Sequence, residues 1–152
     1  MRVLAVHRDR LEVAGPLFEG RVLPPAPIDE DGETAATIGD WLLLDHETHR
    51  PSRVLERRSV FKRKAAGRDR RVQLIAANVD TLLMVTSANQ DFNPARLERY
   101  LALALEAEAT PVVVITKADL AGDVASYVAK ARRLMPGLVV EEFDARGLEA
   151  AS

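Results

Sequence analysis

The chain has 152 residues, enough for one medium-sized domain or two small ones with a real hydrophobic core. Its 47% hydrophobic and 29% charged residues are ordinary for a globular protein, and the absence of cysteine excludes disulfides and thiolate metal sites. No apolar run approaches the roughly 18 residues that cross a bilayer, and charge occurs too early for a secretory signal. We therefore expect a cytoplasmic protein with no membrane partner.

The net charge of −2 conceals an uneven distribution along the chain. Residues 1–49 carry 4 Lys/Arg against 10 Asp/Glu, and residues 72–152 carry 7 against 11. The block between them, residues 50–71, carries 10 Lys/Arg and only 2 Asp/Glu. So large a local excess of positive charge inside an acidic protein indicates a polyanionic partner.

The first 72 residues have the pattern of a small β-domain. Short stretches of alternating or apolar residues are separated by turn signals, and residues 24–36, with three prolines and four acids, are expected to be an irregular loop. Five short strands in about 70 residues suit an antiparallel oligonucleotide/oligosaccharide-binding (OB) barrel. The strands are expected at residues 2–7, 11–15, 17–23, 39–45 and within 52–64.

From residue 73 onward the pattern predicts alternating strands and helices. QLIAANVD, residues 73–80, is expected to lead into the first strand, at 80–88. A helix then begins with Asn93 as its cap and Pro94 in its first turn. A second helix is expected from Asp123 to about residue 135, and a third from Gly147. Further strands are predicted at 111–116 and 138–143, and the apolar face of the first helix is assigned to Leu97, Tyr100, Leu101, Ala104 and Leu105.

This alternation predicts a parallel sheet, and three strands are fewer than a doubly wound domain normally has. The fold class is therefore β followed by α/β, with domains at residues 1–72 and 73–152. The second domain has the length of the first part of a larger one. Because an incomplete sheet exposes an edge, self-association is a further expectation.

The loop TKADL follows the apolar strand PVVVIT. In an open parallel sheet, ligands bind beyond the carboxyl ends of the strands, and Thr116, Lys117 and Asp119 lie at such an end. A carboxylate there can accept hydrogen bonds from the ring N–H and the exocyclic amine of guanine, while the lysine stem covers the base. The alternative is a surface loop in which Lys117 and Asp119 are solvated and Asp119 serves as a cap.

The basic block is a candidate binding surface for a phosphate backbone, through charge and counterion release. A solvated charged face is the alternative, and the size of the local excess favours nucleic acid. Two aromatic residues, Trp41 and Phe61, are candidates for base stacking, but a barrel this small needs large residues inside, so we expect Trp41 in the core. The predicted RNA-binding residues are Arg57, Arg58, Lys62, Arg63, Lys64, Arg68, Arg70 and Arg71.

Other chemistry has little support in the sequence. His46 and His49 are three residues apart in an expected turn, but no cysteine and no nearby third ligand completes a metal site. Ser59 and Ser87 have no recognisable general base, so nucleophilic catalysis is not predicted.

Four segments occur in one order at consistent spacing: IGDW at 38–41, ERRSVFKRKAAG at 56–67, QLIAANVDTLLMVTSANQDFNPARLERYL at 73–101 and VVVITKADL at 112–120. Together they resemble the RsgA/YjeQ-like circularly permuted GTPases, which assist maturation of the small ribosomal subunit. The resemblance covers essentially the whole chain. The RRS and AANVD segments make it specific, since TKADL alone fits many GTPases.

The resemblance implies an OB barrel that binds ribosomal RNA, followed by the first part of a circularly permuted, parallel-sheet P-loop GTPase domain. It implies that Thr116, Lys117 and Asp119 read guanine, with Thr116 where ordinary GTPases usually have Asn. The second base-contacting loop is assigned to Asp144 and Ala145, whose backbone N–H would donate to the guanine carbonyl. The implied cofactors of the full-length family are GTP or GDP with Mg²⁺ and a structural Zn²⁺.

The phosphate-binding loop, G-x-x-x-x-G-K-[ST], is absent from these 152 residues, and none of the eight glycines precedes a lysine. The sequence therefore resembles the N-terminal portion of a family member, and we expect this chain to lack GTP hydrolysis and tight nucleotide binding. No catalytic residue is assigned. The alternative is a non-enzymatic RNA-binding OB module with an accessory α/β platform.

Overall fold

The computed structural model describes residues 1–26, 33–64 and 72–144, which belong to two compact units, Met1–Val79 and Asp80–Ser152. Several sequence predictions lie outside the described residues. They concern residues 27–32 of the acidic loop, the residues Arg68, Arg70, Arg71 and Ala145, and the helix from Gly147. For Lys64, only the side chain lies outside the described part.

In its described residues, the first unit contains strands and no helix. Strands β1, β2 and β3 form an antiparallel meander, and the pairs β4–β5 and β6–β7 are also antiparallel. The strand predictions are confirmed in outline. The bounds are β1 Arg2–Val6, β2 Leu11–Gly15, β3 Phe18–Val22, β4 Leu42–Leu44, β5 Pro51–Val54, β6 Val60–Lys64 and β7 Val72–Ala77.

The core of this unit follows from the alternation of side chains along its strands. Residues two apart on β2 point to the same face, which buries Leu11 and Val13 while Glu12 stays outside. On the outer face, Glu12 receives two hydrogen bonds from Arg21 of β3, at 3.0 and 2.8 Å. These bonds lower the pKa of the Glu12 carboxyl. The buried cluster consists of Val3, Leu11, Val13, Val22 and Leu42.

Residues 37–42, which we call the junction segment, connect the separate strand pairs of the first unit. Backbone hydrogen bonds join this segment to β1, to β7 and to the residue after β5. It also holds the isolated antiparallel bridge between Arg2 and Trp41. The bonds are Val3 N to Asp40 O, Gly39 N to Val3 O, Leu42 N to Met1 O, Ala77 N to Ile38 O and Leu55 N to Trp41 O, all between 2.7 and 2.9 Å.

The first unit is longer than predicted. The sequence placed the boundary between residues 72 and 73, with residues 73–80 leading into the α/β part, but the compact unit ends at Val79. The reason is that β7 pairs with β6 in antiparallel register, from Val60 opposite Ala77 to Lys64 opposite Val72. An apolar run does not reveal which neighbour a strand pairs with. The sequence pattern therefore assigned residues 73–79 to the second unit, whereas the structure includes them in the first.

Trp41 is not in the core, so that prediction is wrong. Its side chain is half-exposed, with 41% relative accessibility, whereas the next residue, Leu42, is buried. Successive residues of an extended segment point to opposite faces, so burial of Leu42 turns Trp41 outward. The other aromatic candidate, Phe61, is 8% exposed and does belong to the interior.

The second unit contains the predicted parallel sheet. Its three described strands have the order β10–β9–β8, and both pairings are parallel. Two helices connect the strands, and a single 3₁₀ turn follows β9. The bounds are β8 Thr81–Ser87, α1 Pro94–Glu106, β9 Thr110–Thr116, the 3₁₀ turn Ala118–Leu120, α2 Val124–Arg132 and β10 Val139–Phe143.

Both predicted helix caps are confirmed. The side chain of Asn93 accepts a hydrogen bond from Arg96 N at 3.1 Å, and Asp123 accepts one from Ser126 N at 3.1 Å. With 13 and 9 residues, α1 and α2 are too short to cross a bilayer. Among the described residues, no helix is long and apolar enough to do so.

The packed face of α1 is narrower than expected. Leu97, Leu101 and Ala104 are buried at helical spacing, but Tyr100 and Leu105 are 42% and 59% exposed. The helix contacts the sheet along one stripe, and residues beside that stripe remain in solvent.

Both helices cover the same face of the sheet, because residues of α1 and α2 share one core cluster with β8, β9 and β10. The opposite face is apolar and more open: Leu83, Val85 and Val139 are 60%, 63% and 45% exposed. Register places Leu83, Val112 and Val139 side by side across the three strands. Parallel sheets in complete domains are normally covered on both faces.

At Gly39 a side chain would collide with the backbone of the first unit. Its φ is +86°, and a Cβ built there would lie 2.1 Å from Ala77 O. We expect Gly39→Ala to destabilise the first unit by about 2–5 kcal/mol, through left-handed strain and collision with β7. Urea unfolding followed by the fluorescence of Trp41, the only tryptophan, measures the effect.

The control is Gly122→Ala, where nothing lies within 4 Å of the new Cβ. Circular dichroism should show a change within about 0.5 kcal/mol for this variant. Equal stability of the Gly39 variant and the wild type would contradict the role assigned to the close approach.

Candidate guanine-binding and RNA-binding sites

The carboxyl ends of the three parallel strands meet at one edge of the sheet. Ser87 of β8, Thr116 of β9 and Phe143 of β10 are register partners across the sheet. The loops that follow the strands therefore begin side by side. This is the edge at which open parallel sheets bind ligands.

Thr116 links β9 to β8 at this edge through its side chain. Its Oγ1 donates to Thr86 O at 3.0 Å and lies 3.2 Å from Ser87 Oγ. The backbone adds a bond from Ala88 N to Thr116 O at 2.9 Å. A hydroxyl at this position thus ties the two strand ends together, and Ser87, to which the sequence assigned no role, takes part in the contact.

Lys117 and Asp119 lie in a tight turn directly after β9. Lys117 has φ +57°, the left-handed conformation, and its carbonyl accepts a hydrogen bond from Leu120 N at 3.1 Å. Both side chains are exposed. The cap of α2 is Asp123 and not Asp119, so Asp119 is not needed to begin that helix.

The second predicted base-contacting loop begins at the same edge. Asp144 follows Phe143, the register partner of Thr116, and its side chain is exposed. The structure thus brings Asp144 to the strand end next to Thr116, while Ala145 lies outside the described residues. The two candidate loops start on neighbouring strands, as reading of one base from two sides requires.

The basic residues of β6 lie on the outside of the first unit. Lys62 and Arg63 are exposed; Lys62 Nζ is 3.1 Å from Glu33 Oε1, and Arg63 Nε donates to Gln73 Oε1 at 2.8 Å. Surface pairs of this kind are weak and exchange readily with other partners. Arg58, just before β6, is exposed as well.

Arg57, one of the predicted RNA-binding residues, differs from the other members of the basic block because its side chain is bound within the fold. Its Nε and Nη2 each donate to the Asp40 carboxylate at 2.8 Å. The remaining Nη1 donates to Glu33 O, and Nη2 also donates to Ala35 O, both at 2.6 Å. The Asp40 side chain is fully buried, and that of Arg57 is 16% exposed. The guanidinium is therefore occupied within the fold.

Asn78 explains why the RRS and AANVD segments belong together. It is 5% exposed and has φ +53°. Its Oδ1 accepts from Arg58 N at 2.9 Å, and its Nδ2 donates to Gly39 O at 3.1 Å. Beside it, Ser59 Oγ donates to Val79 O at 2.9 Å and accepts from Val79 N at 2.8 Å. These residues connect the junction segment, the start of β6 and the end of β7.

His46 and His49 lie in the turn between β4 and β5, which Asp45 organises. Its carboxylate accepts hydrogen bonds from Thr48 N and Thr48 Oγ1 at 2.8 and 2.7 Å, and these bonds lower the pKa of the carboxyl. The His49 ring stacks on Phe18 with centroids 4.2 Å apart. Residues 1–26, 33–64 and 72–144 contain no group of three or more side chains suited to hold a metal ion.

Comparison with known proteins gives this arrangement a family. The RsgA GTPase family model matches residues 54–147. This chain belongs to the RsgA GTPase family. The matched range includes most of the basic block, β7 and the whole edge formed by β8, β9 and β10.

Two relatives show how far the RsgA similarity extends. A small ribosomal subunit biogenesis GTPase RsgA from Mesorhizobium japonicum is 47% identical over 152 residues, covering 99% of this chain and 42% of that protein. One from Xylella fastidiosa strain M23 is 44% identical over 160 residues, covering 97% of this chain and 46% of that protein. The chain spans less than half the length of these RsgA relatives.

A solved structure supports the fold. The crystal structure of YjeQ from Thermotoga maritima superposes with a TM-score of 0.66 at 19% identity, covering 96% of this chain and 51% of that one. At this identity, the likeness speaks for the fold alone.

The internal pairing of Arg57 in this RsgA-family chain generates a prediction about stability. We expect Arg57→Ala to destabilise the first unit by about 3–5 kcal/mol, because the Asp40 carboxylate would remain buried without its partner. Lys62→Ala is the matched control, since it removes an exposed ion pair and should cost less than about 1 kcal/mol. Urea unfolding monitored by Trp41 fluorescence compares them.

A double variant, Asp40→Ala with Arg57→Ala, tests the cause. It should be more stable than Arg57→Ala alone, because the stranded charge is removed with its partner. If Arg57→Ala unfolds like Lys62→Ala, the ion pair does not hold the unit together.

Proposed function

We propose that this chain is the RNA-binding and base-recognising part of a GTPase that assists late maturation of the small ribosomal subunit. The first unit, as an OB-type barrel, binds ribosomal RNA, and the edge of the second unit reads guanine. The observation that carries the proposal is the register of Ser87, Thr116 and Phe143 in an RsgA-family chain. That register starts both candidate base loops on neighbouring strands.

In the proposed guanine site, the Asp119 carboxylate accepts hydrogen bonds from the ring N–H and the exocyclic amine of the base. Lys117 lies across the base with its stem, and its left-handed backbone lets the chain turn sharply after β9. Thr116 keeps that turn attached to β8 through its bond to Thr86 O. The Ala145 N–H is the proposed donor to the guanine carbonyl, with Asp144 setting where that loop begins.

The phosphate side of the nucleotide has no counterpart in these 152 residues. GTP hydrolysis in such enzymes needs a phosphate-binding loop and Mg²⁺, which together orient and stabilise the transferred phosphoryl group. The described residues offer no ligand cluster for Mg²⁺ or for a structural Zn²⁺. We assign both ions to the remainder of the full-length protein, and we propose that this chain alone neither hydrolyses GTP nor binds it tightly.

The RNA surface of the first unit is proposed to consist of Arg58, Lys62, Arg63 and Lys64, extended by Arg68, Arg70 and Arg71. The exposure of Arg58, just before β6, and of Lys62 and Arg63, on β6, supports this role. Arg57 is left out because its guanidinium binds Asp40. Its contribution is to hold the loop from which Arg58 projects.

A non-enzymatic RNA-binding module is the second candidate, favoured by the concentration of positive charge in the first unit and the missing phosphate loop. The aligned strand ends favour the GTPase, since a module would not need them. A cytoplasmic location fits either function. Exposure of Leu83, Val85 and Val139 supports weak self-association of the isolated chain.

Guanine recognition can be tested in a chimera that joins this chain to the C-terminal part of the Mesorhizobium japonicum relative. The chimera should prefer GTP over inosine triphosphate by about 10- to 100-fold, because inosine lacks the exocyclic amine that Asp119 binds. Asp119→Ala should reduce this preference to near unity. Binding of fluorescent nucleotide, displaced by each unlabelled one, gives the two affinities.

Two controls accompany the chimera. Asp123→Ala removes another exposed carboxylate four residues away and should leave the nucleotide preference unchanged. The 152-residue chain alone should show no GTP turnover at physiological Mg²⁺. A preference that survives Asp119→Ala would rule out this carboxylate as the reader of the base, and turnover by the chain alone would refute its proposed inactivity.

RNA binding can be tested by reversing charge on β6 and just before it. Arg58→Glu, Arg63→Glu and Lys64→Glu together should weaken binding to small-subunit ribosomal RNA and reduce the salt dependence of the binding constant by about one unit of slope per lost phosphate contact. Filter binding at several salt concentrations measures both quantities.

The matched control reverses three exposed charges of the second unit, Arg99, Arg132 and Arg133. It produces the same change in net charge and should alter the salt slope much less. Equal losses in the two triple variants would mean that binding responds only to total charge, and the surface on β6 would then have no special role.

A further inference from the structure

We propose that Trp41 and Arg2 form a stacking platform for an unpaired base of the bound RNA. The proposal rests on the proposed RNA-binding function of the first unit and names a residue-level contact within it. It differs from the charged surface on β6, because a platform recognises the flat face of a base and not the phosphate backbone.

Trp41 is held in place by the backbone around it. It forms the antiparallel bridge with Arg2, and its carbonyl accepts a hydrogen bond from Leu55 N at 2.8 Å. The neighbouring Leu42 is buried in the core, which keeps the indole on the outside. Because the backbone of Trp41 is fixed in this way, only the side-chain torsions lose conformational freedom when a base stacks on the ring.

Arg2 reinforces the ring from one side. Its guanidinium carbon lies 5.7 Å from the centroid of the Trp41 ring, and its Nη2 donates to Asn78 O at 3.3 Å. The guanidinium thus occupies one face of the indole while 41% of the residue remains accessible to solvent. A cation next to a stacked aromatic ring suits a partner that is both planar and negatively charged.

The surroundings favour an RNA base over an apolar ligand. Asn78 binds both Arg2, through its carbonyl, and the backbone N–H of Arg58, through its Oδ1. Asn78 therefore links the guanidinium of Arg2, which is part of the platform, to the backbone of Arg58. Ile38 lies within the junction segment, three residues before Trp41; its carbonyl accepts a hydrogen bond from Ala77 N, and its side chain, 45% exposed, offers apolar contact for a ribose.

The base must be unpaired, because bases within a duplex are stacked on both faces by their neighbours. Trp41 is the only tryptophan of the chain, so its fluorescence reports directly on stacking. We would titrate the 152-residue chain with a single-stranded RNA 12-mer and with a blunt RNA duplex of equal phosphate number. The single strand should quench Trp41 fluorescence, and the duplex should leave it nearly unchanged.

Variants separate stacking from charge. Trp41→Leu should bind the single strand about 5- to 100-fold more weakly with an unchanged salt slope, since a stacking contact is lost and no phosphate contact is removed. Trp41→Phe, which keeps an aromatic face, should recover most of the affinity. Leu17→Ala, at a position 83% exposed in the β2–β3 turn, is the control and should bind like the wild type.

The outcomes distinguish this inference from the function on which it rests. If the single strand binds, as judged by anisotropy of a labelled RNA, but neither quenches Trp41 nor distinguishes Trp41→Leu from wild type, the platform is refuted and RNA binding stands. If no RNA of either kind binds the wild-type chain, the proposed RNA-binding function fails and the platform fails with it. Quenching read in the wild-type chain does not depend on any variant folding.

Discussion

The buried carboxylate of Asp40 is the constraint on which the first unit depends. A charge with no solvent exposure requires a partner, and Arg57 meets that requirement with two hydrogen bonds from its guanidinium. The same carboxylate accepts from Thr37 N at 2.7 Å, so it fixes the turn that begins the junction segment as well. One ion pair thereby positions residues 37–42, and these residues carry the hydrogen bonds that join β1, β7 and the end of β5.

The Asp40 carboxylate also makes neighbouring residues of the basic block differ in their environment. Neighbouring arginines in the RRS segment have opposite environments: Arg57 is turned inward by Asp40, while Arg58 is exposed. A charge count along the sequence treats the two alike. The distinction matters because a single segment then supplies both the internal ion pair that shapes the unit and the positive charge that its outer surface presents.

The sequence predicted the elements well where local physics determines them. Asn93 and Asp123 cap helices as expected, and the apolar runs of the second unit became parallel strands with their polar ends at one edge. The errors concern long-range pairing. The membership of β7 depends on its partner β6, and the exposure of Trp41 depends on the pairing of the junction segment with β1. Neither partner is visible in a local pattern.

The position of the candidate guanine-binding loop was predictable because it depends on local sequence. TKADL is contiguous, and its position after an apolar strand places it at a sheet edge. By contrast, the participation of Ser87 in bracing Thr116 needed the register between β8 and β9, which spans 29 residues of sequence. The role of Asn78 was not predicted, because its hydrogen-bond partners Arg2, Gly39 and Arg58 lie far apart along the chain.

The open face of the parallel sheet has a consequence for protein handling. Leu83, Val85 and Val139 form an apolar surface on strands rich in β-branched residues, a composition prone to intermolecular association. On β10 this surface is interrupted by Glu141, which is exposed and lies two residues after Val139, on the same face of the strand. A charge in this position disfavours association between the sheets of different molecules. We therefore expect the solubility of the second unit at high concentration to depend on Glu141.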